Sequence, residues 1–263
     1  MTEALLRIEQ LTLRYPRSGG MLPWQKQWNT AVDQVSLEIM PGETLGLVGE
    51  SGCGKSSLGR AILQLHRPQS GAVWYRAQNL CEKSDRQLRP LRRQLQIVFQ
   101  DPYESLNPRH SISDILEEPL IIHRYGDSAK RQQRIEQLLD IVSLPSSARF
   151  KYPHEFSGGQ RQRIGIARAI ALNPEFIVCD EAVSALDVSV QAQILNLLMD
   201  IQAELNLTLL FISHDLAVVE HVSDRIAVMN SGRIVELNDT EELMRSPNDP
   251  YTQKLLAAIP RLS

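Results

Sequence analysis

Gly49-Glu50-Ser51-Gly52-Cys53-Gly54-Lys55-Ser56 directly follows an apolar run, Leu45-Gly46-Leu47-Val48. The run reads as a buried strand, and the glycine-rich stretch has the spacing of a phosphate-binding loop at every fixed position. Glycines let the backbone turn sharply and aim its N–H groups at phosphate oxygens. Lys55 then reaches the β- and γ-phosphates and the Ser56 hydroxyl faces Mg²⁺. A helix predicted over about Lys55 to Leu65 points its positive end at the same anion. Nucleotide binding is the first reading. A glycine-rich turn that carries a lysine by coincidence is the bland one.

A second anchor lies far downstream. Glu175-Phe176-Ile177-Val178-Cys179-Asp180-Glu181 is a short apolar strand ending in two carboxylates. Asp180 is placed to hold Mg²⁺ through water, and Glu181 to orient or deprotonate an attacking water. Such a pair also suits a helix N-cap with a first-turn acid. Between the anchors, Phe156-Ser157-Gly158-Gly159-Gln160-Arg161-Gln162-Arg163 is a Ser-Gly-Gly turn leading into a helix predicted over about Gln160 to Leu172, which Asn173-Pro174 ends. The start of that helix is a further anion site, because its N–H groups and dipole face one way.

Taken in order, these motifs resemble those of the ATPase subunits of ATP-binding-cassette (ABC) transporters. The set comprises the loop Gly49 to Ser56, a glutamine after a strand at Gln100, Ser157-Gly158-Gly159-Gln160, Asp180-Glu181, Ser184-Ala185-Leu186-Asp187, and His214 after the strand Leu209 to Ile212. The likeness runs from about Leu5 to Ile259. Two further stretches narrow it: Gln100-Asp101-Pro102-Tyr103-Glu104-Ser105-Leu106-Asn107-Pro108-Arg109, and the tail Asp249-Pro250-Tyr251-Thr252-Gln253-Lys254-Leu255-Leu256. Both are similar to ATPases of bacterial oligopeptide, dipeptide and nickel importers, as is the insertion Ser18 to Thr30. Taken neutrally, Asn107-Pro108 is a turn signal and the tail an amphipathic helix.

The resemblance implies an α/β fold: a P-loop NTPase core with a mixed, mostly parallel sheet, an N-terminal antiparallel β layer and an inserted helical lobe. It implies a single domain over 1–263, with 1–101 and 173–263 as nucleotide-binding core and 102–172 as the helical lobe. ATP with Mg²⁺ is held by the loop from Gly49 to Ser57, by Tyr15 stacking on adenine, and by Ser157, Gly158, Gly159 and Gln160 of a second subunit. Lys55, Gln100, Glu181 and His214 serve catalysis; Ser56, Gln100 and Asp180 serve the metal. The second ATPase is a distinct relative or another copy of the chain. Two membrane permeases and, indirectly, a solute-binding protein complete the assembly, and closure passes to the permeases through Gln100 to Arg109. That stretch, Leu106 included, is therefore expected to face the membrane partner. An exporter ATPase and a non-transport cassette ATPase are the alternatives. The sequence departs from the family pattern at Ala182, where proline usually follows the glutamate, and at Phe156, where leucine is usual.

Bulk properties agree. With 28 Lys and Arg against 31 Asp and Glu, the net charge of −3 argues against a strongly electrostatic nucleic-acid binder. No apolar run approaches the roughly 20 residues that span a bilayer. Met1 to Arg7 carries no basic segment followed by an apolar core, so no secretory signal is expected, and the resemblance places the chain peripherally on the cytoplasmic face of a bacterial membrane. Cys53, Cys81 and Cys179 have no paired metal-ligand spacing and read as reduced thiols.

Strand-like alternation in Leu5 to Glu9, Leu11 to Tyr15 and Val35 to Ile39 predicts the antiparallel layer. Trp24 and Trp28 of the insertion either contact a partner or pack a hairpin onto its own domain. From Ser111 to Ser143 the spacing turns helical, with Ile135, Leu138, Leu139 and Val142 recurring at three and four. Beyond Phe176, strands alternate with helices predicted over about Val188 to Leu205 and Leu216 to Val222, the pattern of a parallel sheet with crossovers.

Overall fold

Apolar side chains alternate inward along the N-terminal stretch and run uninterrupted through Thr44 to Val48, and the chain folds accordingly. A computed structural model describes residues 3–16, 28–101 and 105–257. Its elements begin with β1 (Leu6–Pro16), β2 (Trp28–Ile39), β3 (Thr44–Val48), α1 (Lys55–Ile62), β4 (Ser70–Tyr75), β5 (Gln78–Asn79), α2 (Asp85–Leu91) and β6 (Leu95–Val98). There follow α3 (Ile112–Ile122), α4 (Ser128–Ile141), α5 (Gly158–Ala169), β7 (Phe176–Asp180), α6 (Val188–Leu205) and β8 (Thr208–Ile212). The chain ends with α7 (Leu216–Val222), β9 (Arg225–Asn230), β10 (Arg233–Asp239), α8 (Thr240–Arg245) and α9 (Pro250–Ala257). Trp24 with most of the insertion, and Pro102, Tyr103 and Glu104, lie outside the described residues.

Two compact units are distinguished, Met1–Leu88 with Leu210–Ser263, and Arg89–Leu209. In the first, an antiparallel sheet has the order β2-β1-β4-β5. The two N-terminal strands read from the alternation are one strand, bent where the ladder shifts between Ile8 and Leu11. Gln10 sits at the bend with φ 45°, and its N–H leaves the ladder to donate to Ser36 Oγ at 2.9 Å. A second sheet runs beneath the nucleotide loop: β3 pairs in parallel with β9, and β9 in antiparallel with β10. Every residue of β3 is buried, as befits a strand covered on both faces.

Helix α1 stops at Ile62, short of the predicted Leu65. Gln64 turns left-handed there, with φ 55°, and its Nε2 donates to the Ala61 carbonyl at 2.8 Å. That bond takes a carbonyl which further helix would otherwise have satisfied.

In the second unit, β6 and β7 pair in parallel, Leu95 opposite Phe176 through Val98 opposite Cys179. Thr208 N–H donates to the Glu175 carbonyl at 3.0 Å, which starts β8 alongside. The helical part is organised by its caps. Ser111 and Asp114 form a capping box ahead of α3, and Asp127 caps α4. Ile112, Ile115, Leu116 and Leu120 are buried, as are Ile135, Leu138 and Leu139. Helix α5 ends at Ala169 rather than near Leu172. Arg134, only 8% exposed, donates to the Ile170 and Ala171 carbonyls and to Asn173 Oδ1, and Asn173 itself turns left-handed at φ 50°. Among the described residues no helix is long and apolar enough to cross a membrane.

Candidate active site

In the first unit, the loop after β3 is folded around its own lysine. Lys55, 4% exposed, donates from Nζ to the carbonyls of Gly49 at 2.7 Å and Glu50 at 3.0 Å. Gly49 has φ 152°, and a Cβ there would come within 2.1 Å of the Met229 carbonyl oxygen, so the loop leaves β3 only through glycine. Gly232 N–H donates to the Cys53 carbonyl at 2.9 Å, which ties the loop to the β9–β10 turn. The half-buried Cys53 thiol sits 3.9 Å from Lys55 Nζ, and burial pushes its pKa up despite that ammonium. Ser56 and Ser57 open α1 and are half-buried.

Tyr15, expected to stack on adenine, is half-buried at the end of β1. Its hydroxyl bonds His66 Nδ1 at 2.8 Å and lies 3.5 Å from Ser57 Oγ, while the two rings meet edge to face at 5.5 Å. His66 carried no motif in the sequence. Its link to Tyr15 spans two elements and leaves no local signal. His214 follows β8 and is exposed.

The second unit brings together Gln100, Glu181 and Ser184. Gln100 Nε2 donates to Glu181 Oε2 at 3.1 Å and reaches Ser184 Oγ at 3.4 Å; Ser184 Oγ in turn donates to the Glu181 carbonyl at 3.1 Å. Asp180, the last residue of β7, is 3% exposed. Glu181 is half-buried with φ 49°, and Ala182 behind it is 1% exposed. Because the chain turns left-handed at Glu181, its carboxylate leaves the line of the strand. Beneath Gln100, Gln162 of α5 donates to the Phe99 carbonyl at 3.5 Å.

Ser157 caps α5 in a box with Gln160: Gln160 N–H donates to Ser157 Oγ at 3.3 Å, and Ser157 N–H to Gln160 Oε1 at 3.0 Å. Gly158 and Gly159 thus open the first turn, where a helix presents N–H groups to an anion. A Cβ on Gly159 would meet Val190 Cγ1 at 2.3 Å, so glycine lets α5 start against α6. Asp187 accepts from Val190 N–H at 3.0 Å, and that bond holds its carboxyl below the usual range.

The expectation for Leu106 does not hold. Leu106 is 2% exposed, and Arg168 of α5 donates to the adjacent Ser105 carbonyl. An apolar side chain at a turn is as readily an anchor as a contact, and here it is the anchor. Asn107, Pro108 and Arg109 are exposed instead.

Residues 32–184 match the family described as ABC transporter. The chain belongs to that family. It is 50% identical over 262 residues to the oligopeptide transport ATP-binding protein OppF of Bacillus subtilis, covering 99% of this chain and 84% of the relative. The oligopeptide transport ATP-binding protein AppF of the same organism is 48% identical, with 98% and 79% covered. The glutathione import ATP-binding protein GsiA of Pectobacterium atrosepticum is also 48% identical, over 98% of this chain and 41% of that protein. Among solved structures, the dimeric post-hydrolysis state of the ATP-binding cassette MJ0796 bound to ADP and Pi superposes with a TM-score of 0.78 at 28% identity, covering 89% of this chain and 98% of that one. The cbiO1 protein of Clostridium perfringens, part of the transporter complex cbiONQ, gives 0.78 at 25% identity, with 92% and 91% covered. The activity of this family member is that of an ATP-hydrolysing subunit that powers import.

Proposed function

We propose that this ATPase drives the import of peptides or a related small solute, a metal complex included, from the cytoplasmic face of a bacterial membrane. It pairs with a second, distinct ATPase, works through two membrane permeases, and receives solute from a separate binding protein. The single observation carrying this reading is 50% identity to an oligopeptide transport ATP-binding protein over 99% of the chain.

Each residue has its part. Tyr15 meets adenine, and the backbone from Gly49 to Ser57 cradles the phosphates. Lys55, its ammonium anchored on the Gly49 and Glu50 carbonyls, offers its remaining N–H to the β- and γ-phosphates. Glu181 orients the attacking water and accepts its proton. Gln100, bonded to Glu181, reports the state of the metal and water to the segment around Arg109. His214 steadies the γ-phosphate, and Ser157 to Gln160 close on the nucleotide of the partner ATPase.

Mg²⁺ suits the available donors. The Ser56 hydroxyl of the first unit and the Asp180 carboxylate of the second are each hard oxygen donors, the kind this ion takes beside phosphate oxygens and water. When bound it neutralises charge on the β- and γ-oxygens.

Lys55→Ala tests the reading. Titrated with a fluorescent ATP analogue, the variant is expected to lose tight binding, and cells carrying it to lose uptake of a labelled peptide. Near-normal affinity would contradict the loop assignment; lost affinity with intact peptide uptake would contradict the choice of solute.

A further inference from the structure

The Gly49–Glu50 peptide, where the phosphate loop leaves β3, is held at both ends. Its carbonyl accepts from Lys55 Nζ at 2.7 Å. Its N–H, on Glu50, donates to the hydroxyl of Tyr251 at 3.0 Å, a residue of α9 that lies 201 positions away in the chain. A peptide unit is planar, with N–H and C=O pointing opposite ways, so these two bonds fix its rotation about the chain. Such fixing is needed here. Gly49 precedes the unit at φ 152°, and glycine by itself imposes little on the peptide that follows.

Tyr251 is delivered to this point by a clamp of its own. Glu236 on β10, 9% exposed, accepts the N–H groups of Asn248 at 2.8 Å and Asp249 at 3.1 Å. Asp249 Oδ1 then accepts Tyr251 N–H at 2.8 Å and starts α9, while Thr252 beside it is fully buried. Strand, turn and helix start are thereby locked together, and Tyr251 extends from the lock to the loop.

We propose that Tyr251 is a positioning residue for nucleotide binding, which keeps the Gly49–Glu50 peptide in the orientation that sets the Lys55 ammonium for the phosphates. The proposal rests on the phosphate-loop reading above. The hydroxyl of Tyr251 holds the N–H end of that unit, as the ammonium of Lys55 holds its carbonyl end. The tail after β10 thus becomes part of the nucleotide site, and anything that moves α9 changes ATP affinity.

Tyr251→Phe removes one oxygen and keeps the ring. In the full chain we expect affinity for a fluorescent ATP analogue to fall about 3- to 10-fold, the weight of one neutral hydrogen bond. The loss in kcat/KM for ATP is carried by KM rather than kcat, and the melting temperature without nucleotide stays within a degree or so. Hydrogen exchange at the Glu50 amide, protected in the parent, speeds up in the variant. Unchanged affinity overturns the proposal, as does an equal fall in nucleotide-free stability, which would make Tyr251 a structural tether. A Glu50 amide that exchanges in the parent at the rate of an open loop overturns it without any variant. Lys55→Ala separates the two layers: if that variant binds ATP normally, the loop reading itself is wrong, whereas its loss of binding beside a normal Tyr251→Phe condemns only the role of Tyr251.

Discussion

Gln100 Nε2 donates to Glu181 Oε2 across 3.1 Å, joining residues 81 positions apart within one unit of the chain. The bond holds the carboxylate at one end while Ser184 Oγ holds the Glu181 carbonyl at the other. Between the two, Glu181 keeps a left-handed backbone, which costs a non-glycine residue on the order of 1–2 kcal/mol. Ala182, next along the chain, is buried. The turn is closed by Ser184, whose N–H at 3.2 Å and hydroxyl at 3.1 Å both donate to the Glu181 carbonyl.

Each active site borrows Ser157 from a second ATPase under the proposed arrangement, and this is open to a mixing test. Losing an anion-stabilising group costs about 3 kcal/mol of barrier, roughly a hundredfold in rate. Ser157→Arg and Lys55→Ala are each expected to be inactive alone. If the chain pairs with itself, the mixture regains partial ATPase activity, since one interface then joins an intact Lys55 to an intact Ser157. If activity returns only on adding a different ATPase subunit, the pair is a heterodimer, the outcome the proposal favours. Full activity of Ser157→Arg as a monomer would refute a shared site.

Leu106 and Arg109 should part company on substitution. Leu106→Asp places a carboxylate in the core of the second unit and removes a buried side chain, so a loss of about 4 kcal/mol or more is expected, seen as a large drop in melting temperature. Arg109→Glu alters an exposed side chain next to that anchor. Uptake is expected to fall at least about tenfold in cells, with ATP hydrolysis by the assembled ATPase pair within about twofold of the parent. Normal uptake in Arg109→Glu would remove this turn from the permease contact.

The contrast shows what the sequence could carry. The nucleotide loop, the strand ending in Asp180 and the Ser-Gly-Gly turn at Ser157 are contiguous, so residue type and spacing disclose their local structure. Helices α6 and α7 appear at their predicted limits for the same reason, an uninterrupted periodic pattern between clear caps. What stayed hidden depends on distant partners. Gln10 bends β1 because Ser36 captures its N–H; Arg134 ends α5 from another helix; Leu106 is buried by a lobe that its own neighbours do not reveal. The Tyr251 bond to Glu50 belongs with these, as does the link from Tyr15 to His66.

Glu236 makes the C-terminal clamp sensitive to acid. Burial alone would raise its pKa, but the hydrogen bonds it accepts, that from the Asn248 N–H foremost, outweigh burial and hold it below the ordinary carboxylate value. A depressed pKa in the folded state adds stability above the unfolded value of about 4.3, and that stability is lost as pH falls through the folded value. Glu236→Gln is therefore expected to melt lower than the parent at neutral pH, with the gap narrowing as pH drops below about 4. A gap that is constant with pH would show that the charge of Glu236 contributes nothing.

The role of Glu181 as the group that activates water is the centre of the account, and single-turnover hydrolysis of ATP by Glu181→Gln, with ATP affinity measured on the same sample, tests it most directly. Glutamine keeps the shape and an oxygen for Gln100 but cannot take a proton. Affinity close to the parent, hydrolysis slowed about 10²-fold or more, and accumulation of an ATP-bound dimer are expected. Turnover within a few-fold of the parent at unchanged affinity would contradict it and leave Glu181 a structural residue at the end of β7.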